Sequence, residues 1–247
     1  MTHGEPAGPS IVLVSPTLPE NVGAAARGMA NFGLSDLRIV TPACDLHDGR
    51  ARAVSTHGEN VLVSARVYGS LTEALADRRE VWATTAMHRE FRKPTQGPRE
   101  AAARFTPESA IVFGPERTGL TYEELTWAHA LLTFPTTSDA RALNLGVAVT
   151  LVAWEWSART GTGVQAGAQS EARDGRLEPA PMGEQARLLC ELEAMLDDVG
   201  WAPEPGLHER TVRSLRTLML RAGFSTSELT LLRGVFHGLR RGQASAR

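Results

Sequence analysis

The sequence predicts an α/β protein: a mainly parallel sheet with helices on both faces, plus a small C-terminal helical extension. Three observations predict it. Short apolar, β-branched runs alternate with helical stretches between residues 10 and 157. A polar break rich in Gly, Ala and Ser follows. Three amphipathic periods then close the chain. Alternating strand and helix signals mean βαβ units, and such sheets are buried on both faces.

"SIVLVSP" at 10–16 is an apolar run stopped by Pro16, and it reads as a buried strand. A helix is expected over about 21–32, ending at Gly33, and "LRIVTP" (37–42) as the next strand. The runs at 61–68, 80–85, 110–115 and 130–135 repeat the strand pattern. Helical stretches lie between them at 71–79, 99–104 and 122–129, and a last helix runs from about Leu143 through Trp156. The sheet domain is thus expected to span 1–158. Residues 159–183 lack periodicity and read as a flexible linker, and 184–247 as the extension. In the extension Leu189, Leu192, Leu196 and Val199 recur at helical spacing, as do Val212, Leu215, Met219 and Ala222. A third helix opens with Ser225 and Glu228 at capping-box spacing and carries Leu229, Leu232, Phe236 and Leu239 on one face. About 60 residues of helix make only a small core, so these helices are expected to pack on the first domain or on a second copy of it.

Composition excludes several classes. The 247 residues suit one large domain with an appendage, and a formal charge of -2 does not mark the whole chain as a polyanion binder. The distribution is less even: from His208 to Arg247 there are eight Arg against two acidic residues, Glu209 and Glu228, and Lys93 is the sole lysine. Arg suits bidentate phosphate contacts, although compositional bias explains it equally. Cys44 and Cys190 show no CxxC spacing, so a reduced cytoplasmic location is expected. The seven histidines make no HxxxH pair, and no metal site is expected. No apolar run is long enough for a membrane span, and "MTHGEPAGPS" is not a signal peptide.

Three stretches fall at the C-terminal ends of expected strands, where open α/β sheets bind ligands. They are "SPTLPENVGAAAR", "FGPERTGL" (113–120) and "FPTTSDARALNLGVAV" (134–149). No GxGxxG follows the first strand and no GxxxxGK[ST] occurs, which leaves dinucleotide and P-loop readings without support. Taken singly, each stretch has a structural explanation: Asn21 as a helix N-cap, Gly114, Pro115 and Gly119 as turn residues, Asn144 as a cap.

Together, in this order, they resemble the SpoU/TrmH branch of the SPOUT RNA methyltransferases over about residues 10–157. Asn21, Gly23 and Arg27 match the first motif. Gly114, Glu116, Gly119 and Leu120 match the second. Phe134-Pro135 and then Ala142-Leu143-Asn144 match the third. The tail at 214–236 resembles the helical extension of the TrmJ-like subgroup, which methylates a ribose 2′-hydroxyl at the start of the tRNA anticodon loop, nucleotide 32. The resemblance implies a deep trefoil knot, a homodimer, and bound S-adenosylmethionine. The cofactor loops it implies are Thr84-Thr85-Ala86, Gly114 through Gly119 with Pro115 and Glu116, then Phe134 and Ala142-Leu143-Asn144. It implies Arg27 as the residue beside the target ribose and phosphate. A guanidinium is a poor base, so Arg27 is expected to grip the phosphate and stabilise the developing alkoxide. Asn21 and Glu116 are expected to orient Arg27, Asn144 to order the cofactor loop, and the Ala residues around Arg27 to keep the helix slim so that RNA can approach. The chain departs from the family at Ala142, where Ser is usual, and at Met87, where Arg is usual; Arg89 and Arg92 lie nearby. The implied partner is RNA, tRNA first, with no DNA and no membrane. The alternatives are an rRNA 2′-O-methyltransferase and a non-catalytic RNA-binding paralogue.

Overall fold

The computed structural model describes residues 8–86, 93–137, 143–161, 178–198, 200–201 and 205–244. Its frame is a sheet of seven strands: β1 (Ser10–Val14), β2 (Leu37–Val40), β3 (Arg66–Tyr68), β4 (Glu80–Thr84), β5 (Thr95–Gln96), β6 (Ser109–Phe113) and β7 (Ala130–Leu132). They lie in the order β3-β2-β1-β6-β4-β7-β5, and every pair is parallel. Strand alternation divides the core. Ile11, Leu13, Ile111 and Phe113 face one helical layer, while Val12, Val14, Ala110 and Val112 face the other.

The first layer holds α1 (Pro19–Asn31), α5 (Pro98–Ala102) and α7 (Leu145–Thr160). Beside α1 lie α2 (Gly49–Ser55), a 3-10 turn at Thr56–Gly58 and α3 (Glu59–Val63). The opposite layer holds α4 (Leu71–Leu75) and α6 (Tyr122–Thr126). Three longer helices follow: α8 (Met182–Asp198), α9 (Pro205–Ala222) and α10 (Thr226–Ala244). They enclose a small core of Ala180, Leu188, Leu189, Met219 and Leu229. Met182 and Leu220 reach instead into the sheet's second cluster, so this unit packs on its own domain. Of the segment 159–183, the structure describes the two ends. Gly161 closes α7 in the left-handed conformation, and Pro179 pairs with Ser225 while Ala180 is fully buried. Val199, expected on the face of the first of these helices, lies outside the described residues.

Two local expectations are corrected, and two short elements are added. The run at 61–68 is a strand only from Arg66; its β-branched start belongs to α3, because Val61 and Leu62 pack against the first-layer core. Strand propensity yields there to burial on a helical face. Helix α1 starts at Pro19, two residues earlier than expected, with Pro at its first turn. The short strand β5 and helix α2 carry too few residues to show a period.

At the N-terminal edge of the sheet, away from the loops described below, charges are buried in a network. Arg38, 1% exposed, donates to Asp36 and Asp77; Arg66 and Ser10 also bond Asp36. Burial disfavours the charge on Asp36, but bonds from Arg38, Ser10 and Arg66 outweigh it and hold its pKa below the ordinary carboxylate value.

Candidate active site

The cleft lies over the C-terminal ends of β4, β6 and β7, where the parallel sheet leaves its loops. Its volume is about 270 Å³. Thr84, Thr85 and Ala86 extend β4 into it, and Gly114, Pro115, Glu116 and Gly119 extend β6. Phe134 follows β7, and Leu143 leads into α7. The cleft thus brings together the second and third stretches marked in the sequence and Thr84-Thr85-Ala86, while the first stretch meets it through the bonds of Thr17 and Asn21 to Glu116. Ala142, Met87, Arg89 and Arg92 lie outside the described residues. Asn144 is not among the lining residues but bounds α7 beside them.

The β6 loop explains its glycines. A Cβ on Gly114 would sit 2.3 Å from the Leu120 backbone nitrogen and 2.5 Å from the Gly119 carbonyl carbon. Gly119 has φ +64 and donates its N–H to the Pro115 carbonyl at 2.8 Å, which folds the loop back on itself. The Thr84 hydroxyl donates to the Val112 carbonyl, locking the β4 end against β6.

Glu116 is half-buried and crosses from this loop to the start of α1. It accepts from the Thr17 hydroxyl (2.6 Å), the Thr17 N–H (3.1 Å) and the Asn21 side-chain amide (2.8 Å). Burial would raise its pKa, but bonds from Thr17 and Asn21 outweigh burial and keep it below the ordinary value, so the carboxylate is ionised near neutrality. It thereby also satisfies backbone donors that precede α1, whose N-cap residue, Leu18, offers no side-chain bond. Asn144 caps α7, accepting from Gly146 and Val147, and donates its amide to the Asn21 oxygen at 2.7 Å. The run Asn144–Asn21–Glu116 therefore ties the beginnings of α1 and α7 to the β6 loop. Asn21 is 6% exposed and is an internal bridge rather than an N-cap.

Arg27 stands apart. Six residues along a helix from Asn21, its side chain leaves on another face. It is exposed, and among the described residues it makes no hydrogen bond or ion pair. The expected orienting contacts of Asn21 and Glu116 are thus made to each other and to Thr17. The small residues of α1 have a packing cause as well. A Cβ on Gly23 would lie 2.1 Å from the Ala51 carbonyl oxygen, one on Gly28 would lie 2.2 Å from the Thr150 hydroxyl, and one on Gly58 would lie 2.6 Å from the Arg27 backbone. They let α2, α7 and the 3-10 turn approach α1.

Sequence reasoning missed Phe113, Leu145 and Ala148 as lining residues, and placed Leu120 in the motif without assigning it to the cleft. Arg117 and Thr118 sit inside the Gly114–Leu120 motif, so the motif itself carried the signal. Leu145 and Ala148 lie one turn apart at the start of α7, a spacing that marks one helix face. No group of three or more His, Cys, Asp or Glu able to hold a metal occurs among the described residues, and no described helix is long and apolar enough to cross a membrane.

A parallel sheet with such a cleft at its strand ends fits one class: the SpoU rRNA Methylase family model matches residues 8–154, and the chain belongs to that family of methyltransferases. Its relatives narrow the class. The chain is 34% identical over 236 residues to the tRNA (cytidine/uridine-2′-O-)-methyltransferase TrmJ of Photorhabdus laumondii, covering 91% of this chain and 93% of the relative. The crystal structure of TrmJ from Z. mobilis superposes with a TM-score of 0.83 at 36% identity, covering 94% of this chain and 99% of that one. The SpoU methyltransferase AviRb from Streptomyces viridochromogenes, solved in complex with the cofactor AdoMet, shares the fold at 19% identity with a TM-score of 0.51, over 66% of this chain and 61% of that one.

Proposed function

We propose that this protein transfers a methyl group from S-adenosylmethionine to a ribose 2′-hydroxyl of tRNA, in the anticodon loop. The observation that carries the reading is the cleft itself: residues of the second and third family motifs line it, and Asn21 of the first bonds Glu116, an ionised carboxylate at its rim. The residues present fit the cofactor. Phe113, Phe134 and Leu143 offer apolar walls for an adenine, and the glycine loop at 114–119 brings backbone close without a Cβ in the way. S-adenosylmethionine supplies an electrophilic methyl on a sulfonium, a cation that the Glu116 carboxylate suits.

The remaining chemistry falls to the chain's own side chains. Arg27 is exposed on α1, where Gly58 approaches the Arg27 backbone too closely to carry a Cβ. In this reading it grips the phosphate beside the target ribose and stabilises negative charge developing on the 2′-oxygen. The proton leaves to solvent or to that phosphate. Asn21 and Asn144 fix the geometry between α1, α7 and the loop rather than touching the reacting atoms. The knotted threading implied by the family, and the cytoplasmic location, belong to the same reading.

A homodimer belongs to it too. Val147, Leu151 and Trp154 form an exposed stripe along α7, with Trp154 edge-on to Phe32 at 5.5 Å. A contiguous apolar stripe of this kind suits a second copy.

Calorimetric titration with S-adenosylmethionine, followed by labelled-methyl transfer to bulk tRNA and to rRNA, tests the proposal. Cofactor binding with transfer to tRNA alone is expected. Transfer to rRNA alone would move the substrate, and binding of RNA without any transfer would make the protein a non-catalytic paralogue.

A further inference from the structure

Helix α6 is held from two sides that have no obvious reason to meet there. From below, Lys93 is 7% exposed and donates its ammonium to the carbonyls of Leu125 (2.9 Å), Thr126 (2.8 Å) and Ala128 (2.5 Å). It thereby satisfies the carbonyls left open at the helix end. From outside, Arg216 of α9 reaches across from the C-terminal unit. It bonds Glu123 at 2.7 Å and the Thr126 hydroxyl at 3.2 Å, and its guanidinium lies 4.2 Å from the centre of the Trp127 ring. Arg216 is 8% exposed, and Glu193 of α8 lies 3.6 Å away. Arg213, one turn earlier, faces the same Glu123 and the Tyr122 ring.

Burying an arginine is costly unless its partners are fixed, so such a contact is specific in geometry. What it fixes is informative. Helix α6 follows the cleft loop without a spacer: Leu120, a lining residue, is buried in the sheet's second cluster, and Thr121 is the N-cap of α6 through a full capping box with Glu124. Gly114 lies so close to the backbone of Gly119 and Leu120 that it has no room for a Cβ. A shift of α6 therefore shifts the wall of the cleft.

We propose that Arg216 is a positioning residue for the cofactor cleft: by clamping α6 it lets the C-terminal helical unit set the shape of the Gly114–Leu120 loop. The unit is then more than a grip on RNA. This rests on the function proposed above, in which that loop holds S-adenosylmethionine.

The test is calorimetric titration of the full chain with S-adenosylmethionine, alongside thermal unfolding, for wild type, Arg216→Met, Arg216→Lys, Glu123→Gln and Leu229→Ala. Leu229 sits in the core of the C-terminal unit and makes none of the Arg216 bonds, so it reports general loosening. Arg216→Met is expected to weaken cofactor binding about 3- to 30-fold, the range for coupling through packed elements. Arg216→Lys should recover part of that loss, and Glu123→Gln should show a smaller loss in the same direction. Leu229→Ala should lower the melting temperature and leave cofactor affinity in place. If Arg216→Met does not fold, Glu123→Gln decides. Affinity within about twofold of wild type in Arg216→Met and Glu123→Gln overturns the inference, and so does an equal loss in Leu229→Ala. A wild type that binds no S-adenosylmethionine overturns the proposed function and this inference with it.

Discussion

Arg27 and Gly23 lie one turn apart on α1 and show how differently two residues of one motif can act. Arg27 has no protein partner among the described residues, so its removal takes nothing from the folded state. Arg27→Ala is expected to leave the melting temperature and cofactor affinity close to wild type while cutting turnover about a hundredfold, the usual scale for one charge-stabilising donor. Single-turnover methyl transfer checks it; activity within about threefold of wild type would remove Arg27 from the chemistry. Gly23 is the reverse. An added methyl meets the Ala51 carbonyl at 2.1 Å, a backbone atom that cannot swing aside. Gly23→Ala gains helix propensity, yet overpacking should outweigh it and destabilise the protein by about 1–3 kcal/mol, read as a lower denaturant midpoint. The sequence exposed the residue types of the motif but not this division of labour. Asn21 was legible as a helix-start residue; Pro19, two positions before it, was the sign that the helix had already begun. The pairing of Asn21 with Glu116 and Asn144 is between residues 95 and 123 positions apart, and no local pattern carries that.

Among elements, the sheet's two ends are built from opposite materials. The C-terminal end is loops and glycines; the N-terminal end is the Asp36–Arg38–Asp77 network with Arg66 and Arg78. Both carboxylates have pKa values below their ordinary range; burial opposes this, and the arginine bonds outweigh it. A carboxylate depressed on folding contributes stability above its unfolded pKa and loses it as pH falls through the folded value. Stability is therefore expected to drop as pH is lowered below about 4, where the unfolded chain takes up protons first. Asp36→Asn should flatten that acid slope while lowering stability at neutral pH, since it leaves Arg38 buried with fewer partners. Denaturant titrations between neutrality and acid would show both. This network was invisible in the sequence because Asp36 looks like an ordinary surface charge before a strand and Arg38 like a solvent-facing position within it. The strands themselves were legible, since continuous apolar runs have few other fates; α3 was not, because Val61-Leu62-Val63 favours a strand until burial selects its helical face.

For the molecule as a whole, the asymmetry of charge divides binding from chemistry. Arg210 and Arg221 are exposed on α9, whereas Arg216 on the same helix is turned inward. The double variant Arg210→Ala, Arg221→Ala is expected to bind tRNA more weakly with a salt dependence shallower by about one to two counterions, and to bind cofactor as wild type does. Filter binding over a range of salt concentrations measures the slope; an unchanged slope would remove these side chains from the RNA contact. The arginine excess was legible in the sequence. Which arginines serve the surface and which the interior was decided by packing alone.

The placement of β6 between β1 and β4 has a consequence for how the chain reaches its structure. Ser10 pairs beside Ala110, so β1 waits for a neighbour, the central strand β6, that the ribosome delivers far later. Until then β1 can pair with β2 on one side and keeps a bare, apolar edge on the other. Such non-local pairing delays the rewarding contacts behind a large loop closure. Refolding from denaturant is expected to be slow, on the order of seconds or longer, and to lose yield as protein concentration rises, because that waiting edge is open to strands of other chains.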